Sequence, residues 1–385
     1  MSASAPFDPE QPTGEISFDS FELHRQVRQS LSVAKNIVIK VGSRTLTNLP
    51  DLPVRLAQQF RGLKDQGRRV VLVSSGAVAL GIKRLGLDAR PTELALLQAA
   101  AAAGQADLVR RYDDAFGPLG LVPAQVLLTH GDLSNRKRLN NARAALGALI
   151  DCGAIPIINE NDTVSIEELR FSDNDQLSAL VTPLVDADAL ILLTDVDGVL
   201  DEQGERISFM QRPEDFVDHG AKDNVGRGGM AGKLNAATQA RRAGATVVIA
   251  SASTPRVIER VLAGEDLGTC FPRLLSVLRA KHHWIAYTLR PRGTVVVDEG
   301  AERALRHNKT SLLPVGVLGV RGEFRRADAV VVVNVHGQEL GRGLSRLSSV
   351  EVTRCAGKKG AELAALLGGL SDDEVIHRDD LVIWD

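Results

Sequence analysis

Residues 153–200 read GAIPIINENDTVSIEELRFSDNDQLSALVTPLVDADALILLTDVDGVL, and this stretch decides the fold. Two short apolar runs, at 154–158 and 189–193, are continuous and rich in branched side chains, which is typical of strands buried on both faces of a parallel sheet. A helical pattern at 177–184 lies between them. The stretch therefore predicts a strand–helix–strand unit of an α/β fold with a mainly parallel sheet.

Polar clusters stand beside these predicted elements. Asn-Glu-Asn-Asp at 159–162 follows the first strand, Thr194-Asp195 follows the second, and Ser-Asp-Asn-Asp at 172–175 precedes the helix. Ligands of doubly wound α/β domains bind beyond the carboxyl ends of the strands, so we expect the three clusters to face one crevice. Ordinary loop and helix-cap chemistry explains any single cluster equally well. The three together favour a site.

The rest of the chain divides by its patterns. Strand and helix patterns alternate from about residue 34, which predicts a sheet covered on both faces. From residue 293 the segments are short, β-rich and punctuated by glycine, which is typical of a small barrel or sandwich. Apolar residues at 18, 21, 27 and 31 predict a short amphipathic helix before the first strand. We expect a polar extension at 1–34, an α/β domain at 35–279 and a β-rich domain at 291–385.

Composition narrows the class of protein. The 385 residues are 44% hydrophobic and 24% charged, which is the balance of a soluble globular protein. The formal net charge of -2 gives no support to nucleic-acid or membrane binding. Three scattered cysteines without CxxC spacing predict a reducing compartment and no metal site. The acidic first segment lacks the apolar core of a signal peptide or membrane span. We therefore expect a cytoplasmic protein.

Two lysines are candidates for binding phosphate. Lys40 is the penultimate residue of an otherwise apolar strand, so it must either extend to solvent or meet an anion at the sheet edge. Lys233 ends the run GRGGMAGK at 226–233, which opens a predicted helix at 234–243 and would present free N–H groups and a positive dipole end to an anion. The run is not a Walker A motif, because Arg227 and Leu234 replace the required Gly and Ser or Thr. An ordinary surface loop is the alternative.

Two other enzyme classes have weaker support. Ser75 in the turn Ser75-Gly76 could be a nucleophile, a ligand or an N-cap, but the nearest histidine, His130, has no carboxylate in an obvious orienting position. The run LILLTDVDGVL at 190–200 resembles the Asp-x-Asp-Gly element of haloacid dehalogenase-type phosphatases. The later acidic element of those enzymes is missing, and several strand–helix units precede this strand. Acyl transfer and this type of phosphate hydrolysis are therefore disfavoured.

Taken together, the motifs resemble those of the glutamate 5-kinase family over residues 35–385. The matching motifs are Lys40-Val41-Gly42, Ser75-Gly76-Ala77, Asn159-Glu160-Asn161-Asp162, Asp173-Asn174-Asp175, Thr194-Asp195 and Gly228-Gly229-Met230 through Lys233. The lysines and glycine loop are general to the amino acid kinase fold, whereas the two acidic-amide motifs are more specific. VDEGA at 297–301, SLLP at 311–314 and HRDD at 377–380 resemble the PUA domain of bacterial members. The resemblance implies an amino acid kinase-like αβα sandwich followed by a small β-rich PUA-like domain.

The resemblance also implies an activity. It implies ATP- and Mg²⁺-dependent phosphorylation of the γ-carboxylate of L-glutamate to γ-glutamyl 5-phosphate, the first step towards proline. Catalytic roles fall on Lys40, Lys233 and Asp175, with Asp175 holding both lysines. Glutamate would contact Ser75, Asp162 and Asn174, and no residue is assigned to metal. The nucleotide would contact Lys40, Thr194, Asp195, Arg227, Gly228, Gly229, Met230, Ala231, Gly232 and Lys233.

The same resemblance implies a homo-oligomer, a dimer or tetramer, and functional coupling to γ-glutamyl phosphate reductase. The sequence departs from the family pattern in five places, which is expected to affect nucleotide affinity and rate more than reaction type: Arg44, Ser172, the Val-Leu-Asp run at 199–201, Arg227 and Gly232. One alternative is another small-molecule enzyme of the amino acid kinase fold. The other is an RNA-associated protein acting through its PUA-like domain, since residues 281–370 carry roughly six more Lys and Arg than Asp and Glu.

Overall fold

The structure is a computed structural model that describes residues 20–165, 174–213, 216, 229–274, 280–308, 310–359, 362–363 and 374–384. Five residues of the predicted motifs lie outside these ranges: Ser172, Asp173, Gly226, Arg227 and Gly228. The first 19 residues of the predicted N-terminal extension also lie outside them.

The first sheet contains seven described strands in the order β3-β4-β2-β1-β5-β6-β7. The strands are β1 (Asn36–Val41), β2 (Arg69–Ser74), β3 (Pro123–Leu128), β4 (Ile155–Glu160), β5 (Ala189–Thr194), β6 (Thr246–Ser251) and β7 (Thr269–Phe271). All neighbours pair in parallel except β6 and β7, which are antiparallel. The predicted α/β fold with a mainly parallel sheet is confirmed. The sequence reasoning missed β7, because three residues are too few to show a pattern.

Helices cover both faces of this sheet. They are α1 (Ser20–Ser30), α2 (Ser43–Asn48), α3 (Leu52–Asp65), α4 (Ala77–Arg84), α5 (Leu94–Phe116), α6 (His130–Ser134), α7 (Arg136–Asp151), α8 (Asn174–Val181), α9 (Met230–Arg242) and α10 (Val257–Leu262). Helix α9 begins at Met230, not at residue 234 as predicted, so the last part of the glycine-rich run is helical. Within the described ranges, no helix is long and apolar enough to cross a membrane.

Strand β1 shows how the sheet divides the core. Ile37 and Ile39 belong to a buried cluster with Phe60 of α3, and Val38 belongs to the cluster on the opposite face with Leu177 of α8. Alternate side chains of a strand point to opposite faces, so Lys40, two residues after Val38, lies on the α8 face. The pattern that makes β1 a buried strand therefore directs its lysine towards the start of α8.

Helix α1, the predicted amphipathic helix, is fixed to the body by an arginine. The Arg28 side chain is buried and donates hydrogen bonds to four backbone carbonyl oxygens, those of Ser208, Glu265, Leu267 and Gly268. A buried guanidinium needs hydrogen-bond acceptors for its N–H groups, and these carbonyl oxygens supply them. The helix is therefore a fixed part of the folded chain.

The second sheet has five described strands in the order β12-β11-β10-β8-β9. The strands are β8 (Gly293–Val297), β9 (Val317–Arg321), β10 (Ala329–Val333), β11 (Glu339–Leu344) and β12 (Leu381–Ile383), and they pack with α12 (Glu299–Asn308) and α13 (Ser349–Cys355) around a separate apolar cluster. Helix α11 (Ala280–His283) and a π-helical turn, Trp284–Thr288, join the two sheets. The predicted β-rich C-terminal unit is thus present, and its boundary at residue 291 stays a prediction.

Candidate active site

The polar clusters of the sequence meet at the carboxyl edge of the first sheet. A cavity of about 170 Å³ lies there. Its lining contains the three residues predicted to bind glutamate, and consists of Ser43, Ser75, Gly76, Ala77, Val78, Ala79, Arg90, Asn159, Glu160, Asp162 and Asn174. Strands β4, β2 and β1 are neighbours in the sheet, which explains how segments distant in sequence come together.

A buried carboxylate holds the two predicted catalytic lysines. Asp175, in the first turn of α8, has a fully buried side chain that forms ion pairs with Lys40 of β1 and Lys233 of α9. The Lys233 Nζ atom lies 3.1 Å from Asp175 Oδ2, and Lys40 pairs with the other carboxylate oxygen. Lys40 is 4% exposed and therefore does not extend to solvent. The structure brings all three residues together.

The electrostatics of this group of three follow from its position. Burial raises the pKa of Asp175, but the charges of Lys40 and Lys233 and their hydrogen bonds outweigh burial, so the pKa lies below its ordinary value. Lys233 lies in the first turn of α9, where the helix dipole disfavours a cation, and the Asp175 carboxylate compensates for this. The Asp175 carboxylate is thus ionised at neutral pH and holds the two ammonium groups beside the cavity.

Ser75 is held at the cavity by the turn that follows β2. Its backbone N–H donates to the Val41 carbonyl oxygen at 3.1 Å, which joins the ends of β2 and β1. Gly76 adopts a φ of +118°, a left-handed conformation that side chains disfavour, and α4 begins directly after it. The Ser75-Gly76 sequence therefore places a hydroxyl at the helix start beside the cavity.

Asn159 and Glu160 are the last residues of β4, whereas the sequence reasoning placed them in the loop after the strand. Both side chains are buried and both line the cavity. The Asn174 side-chain nitrogen donates to Asn159 Oδ1 at 2.8 Å and to the Ser74 carbonyl oxygen at 3.0 Å. The two predicted motifs are thus joined by a direct amide–amide hydrogen bond.

The cavity also contains residues that no site prediction included. Arg90 brings a positive charge from the segment between α4 and α5, and Ser43 lies at the start of α2. No pattern in the sequence around Arg90 distinguishes it from an ordinary surface arginine. Asn159 and Glu160 belong to the Asn-Glu-Asn-Asp motif at 159–162. Their position at the end of a strand could have placed them among the predicted binding residues.

The predicted nucleotide residues lie at the end of β5 and the start of α9. The Thr194 hydroxyl donates to Asp195 Oδ1 at 3.1 Å, and Arg44 Nη1 lies 3.6 Å from Asp195 Oδ2. Burial raises the pKa of Asp195. A backbone N–H, the Thr194 hydroxyl and the Arg44 charge lower it by more, so the pKa lies below its ordinary value. The residues of the glycine-rich run that the structure describes are Gly229, which precedes α9, and Met230, Ala231, Gly232 and Lys233 in its first turn.

The chain is similar to known proteins along most of its length. The model of the amino acid kinase family matches residues 35–251, and the PUA domain model matches residues 293–367. A glutamate 5-kinase of Bordetella pertussis is 45% identical over 367 residues, covering 92% of this chain and 97% of the relative. Glutamate 5-kinases of Thermus thermophilus and Chromohalobacter salexigens are each 46% identical, covering 93% and 92% of this chain and 99% and 98% of the relatives.

The chain therefore belongs to the amino acid kinase family. The three relatives named above are glutamate 5-kinases, and the similarity to them extends through the PUA domain, as does the family resemblance drawn from the motifs.

Proposed function

We propose that this protein transfers the γ-phosphoryl group of ATP to the γ-carboxylate of L-glutamate, giving γ-glutamyl 5-phosphate and ADP, the first step towards proline. The observation that carries this proposal is the buried Asp175 carboxylate holding Lys40 and Lys233 beside a polar cavity that contains Ser75, Asp162 and Asn174. The glutamate 5-kinases that match this chain along nearly their whole length support the same activity.

The chemistry requires charge compensation more than proton transfer. A carboxylate with a pKa near 4 is ionised at neutral pH, so it attacks phosphorus without a general base. One bond forms between a γ-carboxylate oxygen and the γ-phosphorus, and the bond from that phosphorus to the bridging oxygen breaks, leaving ADP. Negative charge on the transferring group then needs fixed cations, which Lys40 and Lys233 supply. Because Asp175 holds both ammonium groups in advance, little reorganisation accompanies the reaction.

Mg²⁺ bound with ATP would neutralise charge on the β- and γ-phosphates. This ion is usually held by one or two carboxylates together with substrate phosphates and water. The Asp195 carboxylate fits that role, because it is partly exposed at the carboxyl end of β5 and ionised at neutral pH. The residues from Gly229 to Lys233 present the N-terminus of α9 on the same side, where backbone N–H groups suit phosphate oxygens.

Glutamate has three charged groups, and the cavity offers a charged partner for two of them. Asp162 supplies an anion for the α-ammonium group, and Arg90 supplies a cation for the α-carboxylate. The Ser75 hydroxyl, at the start of α4, donates a further hydrogen bond to the bound glutamate. The γ-carboxylate is then left to meet the phosphoryl group near Lys40.

The test is turnover by the purified full-length protein. ADP release should depend on L-glutamate, and hydroxylamine should trap the acyl phosphate as a hydroxamate. L-aspartate, which is one methylene shorter, and N-acetylglutamate, which lacks the ammonium charge, should be poor substrates. ADP formation that is indifferent to glutamate, or faster with N-acetylglutamate, would overturn the proposal.

We also propose the finer properties that the resemblance implies. A homo-oligomer and functional coupling to a γ-glutamyl phosphate reductase suit an enzyme whose acyl phosphate product hydrolyses readily. A cytoplasmic location is supported by the free thiols of Cys152, Cys270 and Cys355. RNA binding has less support, because basic residues of the second sheet and its connecting segments pair with acidic neighbours, as in Arg326–Glu351 and Arg342–Glu339. Filter binding to structured RNA at two salt concentrations checks it, since phosphate contacts weaken with salt.

A further inference from the structure

The side-chain amide of Asn174 has a fixed direction. Its nitrogen carries two hydrogens, and the structure assigns both to protein acceptors: the Ser74 carbonyl oxygen at 3.0 Å and Asn159 Oδ1 at 2.8 Å. Asn174 lines the cavity, so the polar group that it can offer a ligand is its oxygen, a hydrogen-bond acceptor. An acceptor beside Asp162 suits an ammonium group and not a carboxylate.

Asn159 determines this direction. Its Oδ1 atom accepts from the Asn174 side chain and from the Glu160 backbone N–H at 2.9 Å. A reversed Asn159 would place its NH₂ group against both of these donors. Its own nitrogen donates to Gln105 Oε1 at 2.9 Å, so the direction of Asn159 depends in turn on an acceptor in α5.

Gln105 has an unsatisfied donor that this arrangement explains. Its Nε2 atom is buried and has no hydrogen-bond partner among the described residues. A buried unpaired donor is unfavourable and calls for an explanation. Reversing the Gln105 amide would place its NH₂ group against the NH₂ group of Asn159. The unfavourable direction is therefore kept because Asn159 needs an acceptor at this position.

The backbone around Gln105 is closely fixed. A Cβ atom at the neighbouring Gly104 would lie 1.9 Å from the Ala77 carbonyl oxygen, and one at Gly81 would lie 1.7 Å from that of Ala100. These glycines let α5 approach α4, the helix that starts directly after Ser75-Gly76. Gln105 thus has a defined position relative to the cavity although it does not line it.

We propose that Gln105 is a positioning residue that acts through Asn159 to hold Asn174 with its oxygen towards the α-ammonium group of glutamate. This inference rests on the proposed function, since it names how that site recognises one group of its substrate. Gln105 makes no contact with the substrate in this arrangement.

The experiment compares Gln105→Met with Gln105→Glu. Methionine keeps the length of the side chain and removes the acceptor, whereas glutamate keeps an oxygen for Asn159 and removes the unsatisfied donor. Loss of a neutral hydrogen bond should raise the glutamate KM of Gln105→Met roughly three- to tenfold, with the ATP KM unchanged. Gln105→Glu should lie closer to the wild type.

A second readout separates positioning from general damage. Glutarate has both carboxylates of glutamate and no ammonium group, so the ratio of kcat/KM for glutamate to that for glutarate measures recognition of the ammonium. The ratio should fall in Gln105→Met by a factor similar to the rise in KM, whereas a merely destabilised enzyme would keep it. If Gln105→Met does not fold, Gln105→Ser, whose side chain is too short to reach Asn159, takes its place.

The outcomes are distinct from those that test the proposed function. A wild-type enzyme with glutamate-dependent turnover, and a folded Gln105→Met with unchanged glutamate KM and unchanged ratio, would overturn the role of Gln105 alone. A wild-type enzyme without glutamate-dependent turnover would overturn the proposed function, and the role of Gln105 with it.

Discussion

The two sheets of this protein differ in the kind of polar side chain that is buried at them. At the carboxyl edge of the first sheet Lys40, Asp175 and Glu160 are all buried, although they are ionisable. In the described residues of the second sheet and its helices, the buried polar side chains are the neutral Asn334 and Ser345. Burying a charged side chain costs free energy unless the charge is paired. Buried charges therefore indicate a role other than stability. Among the described residues the buried carboxylates lie at this edge, whereas the buried arginines elsewhere, Arg28 and Arg241, are bonded to backbone carbonyl oxygens.

A shifted pKa alone would not make this distinction. Hydrogen bonds from Arg326, together with those from Ser348, lower the pKa of Glu351 in the second sheet's domain to about 2 despite partial burial. Glu351 is the N3 residue of a capping box at the start of α13, which is a structural role. The comparison teaches that burial and a neighbouring cavity, not the size of a pKa shift, distinguish the carboxylate proposed to act in catalysis.

The largest expected effect tests the lysines of the first sheet against an arginine of the second. Lys40→Met and Lys233→Met should each lower kcat by at least about a hundredfold, because a preorganised charge contact to the transition state is lost. Arg326→Met removes an ion pair of the second domain and should leave kcat within about twofold of the wild type. Steady-state kinetics with saturating ATP and glutamate gives the comparison. Near-normal kcat in a lysine variant would return that lysine to a structural role.

The next effect concerns the substrate side of the same edge. Asp162→Asn keeps the shape of the side chain and removes the charge proposed to pair with the α-ammonium group. Loss of a charge-assisted contact of about 1.5 to 3 kcal/mol should raise the glutamate KM roughly ten- to hundredfold. The ATP KM is the internal control. An unaltered glutamate KM in the folded variant would remove Asp162 from the binding site.

Much of this edge could be predicted from the sequence, for a physical reason. Strands buried on both faces are continuous apolar runs, so polar residues at or next to their ends, such as Lys40 and Thr194, stand out. Arg90 and Gln105 could not be found in this way, because one lies between helices and the other on a helix face where glutamine is common. Their roles depend on tertiary packing, which no local pattern records.

A smaller effect is expected where the two sheets meet. Burial lowers the pKa of His283 to about 4, and its Nε2 atom lies 3.2 Å from the Gln239 carbonyl oxygen of α9. The unfolded chain, with a histidine pKa near 6.5, binds more protons than the folded chain between about pH 6.5 and pH 4. The stability that neutral His283 permits is therefore complete above about pH 6.5 and falls as the pH is lowered towards 4.

Tryptophan fluorescence measures this change directly. The chain has two tryptophans, Trp284 and Trp384, and both lie where the sheets meet: Trp284 Nε1 donates to the Leu133 carbonyl oxygen, and Trp384 packs against Arg242. Urea midpoints from tryptophan emission should decrease between pH 6.5 and pH 4.5, and His283→Gln, which cannot be protonated, should reduce the dependence. An identical dependence in wild type and variant would assign it to other groups, of which His130, with a pKa lowered by burial to about 4, is the first candidate.

The smallest effect on catalysis is expected from removing the second sheet altogether. Every residue given a catalytic or binding role lies before Leu234, and the second sheet packs around its own apolar cluster. A protein ending at residue 279 loses the contacts of Arg242 with Tyr287 and Trp384, so its melting temperature should fall. These contacts lie at the C-terminal end of α9, whereas Lys233 lies at its start, and interfaces between domains of this kind are often modest. Glutamate-dependent turnover should therefore persist within a few-fold of the value of the 385-residue chain.

One outcome would contradict this prediction: a truncated protein that circular dichroism shows to be folded, yet that has no glutamate kinase activity at saturating substrates. The second sheet would then contribute to the active site, and the division of the chain at residues 279 and 291 would be wrong.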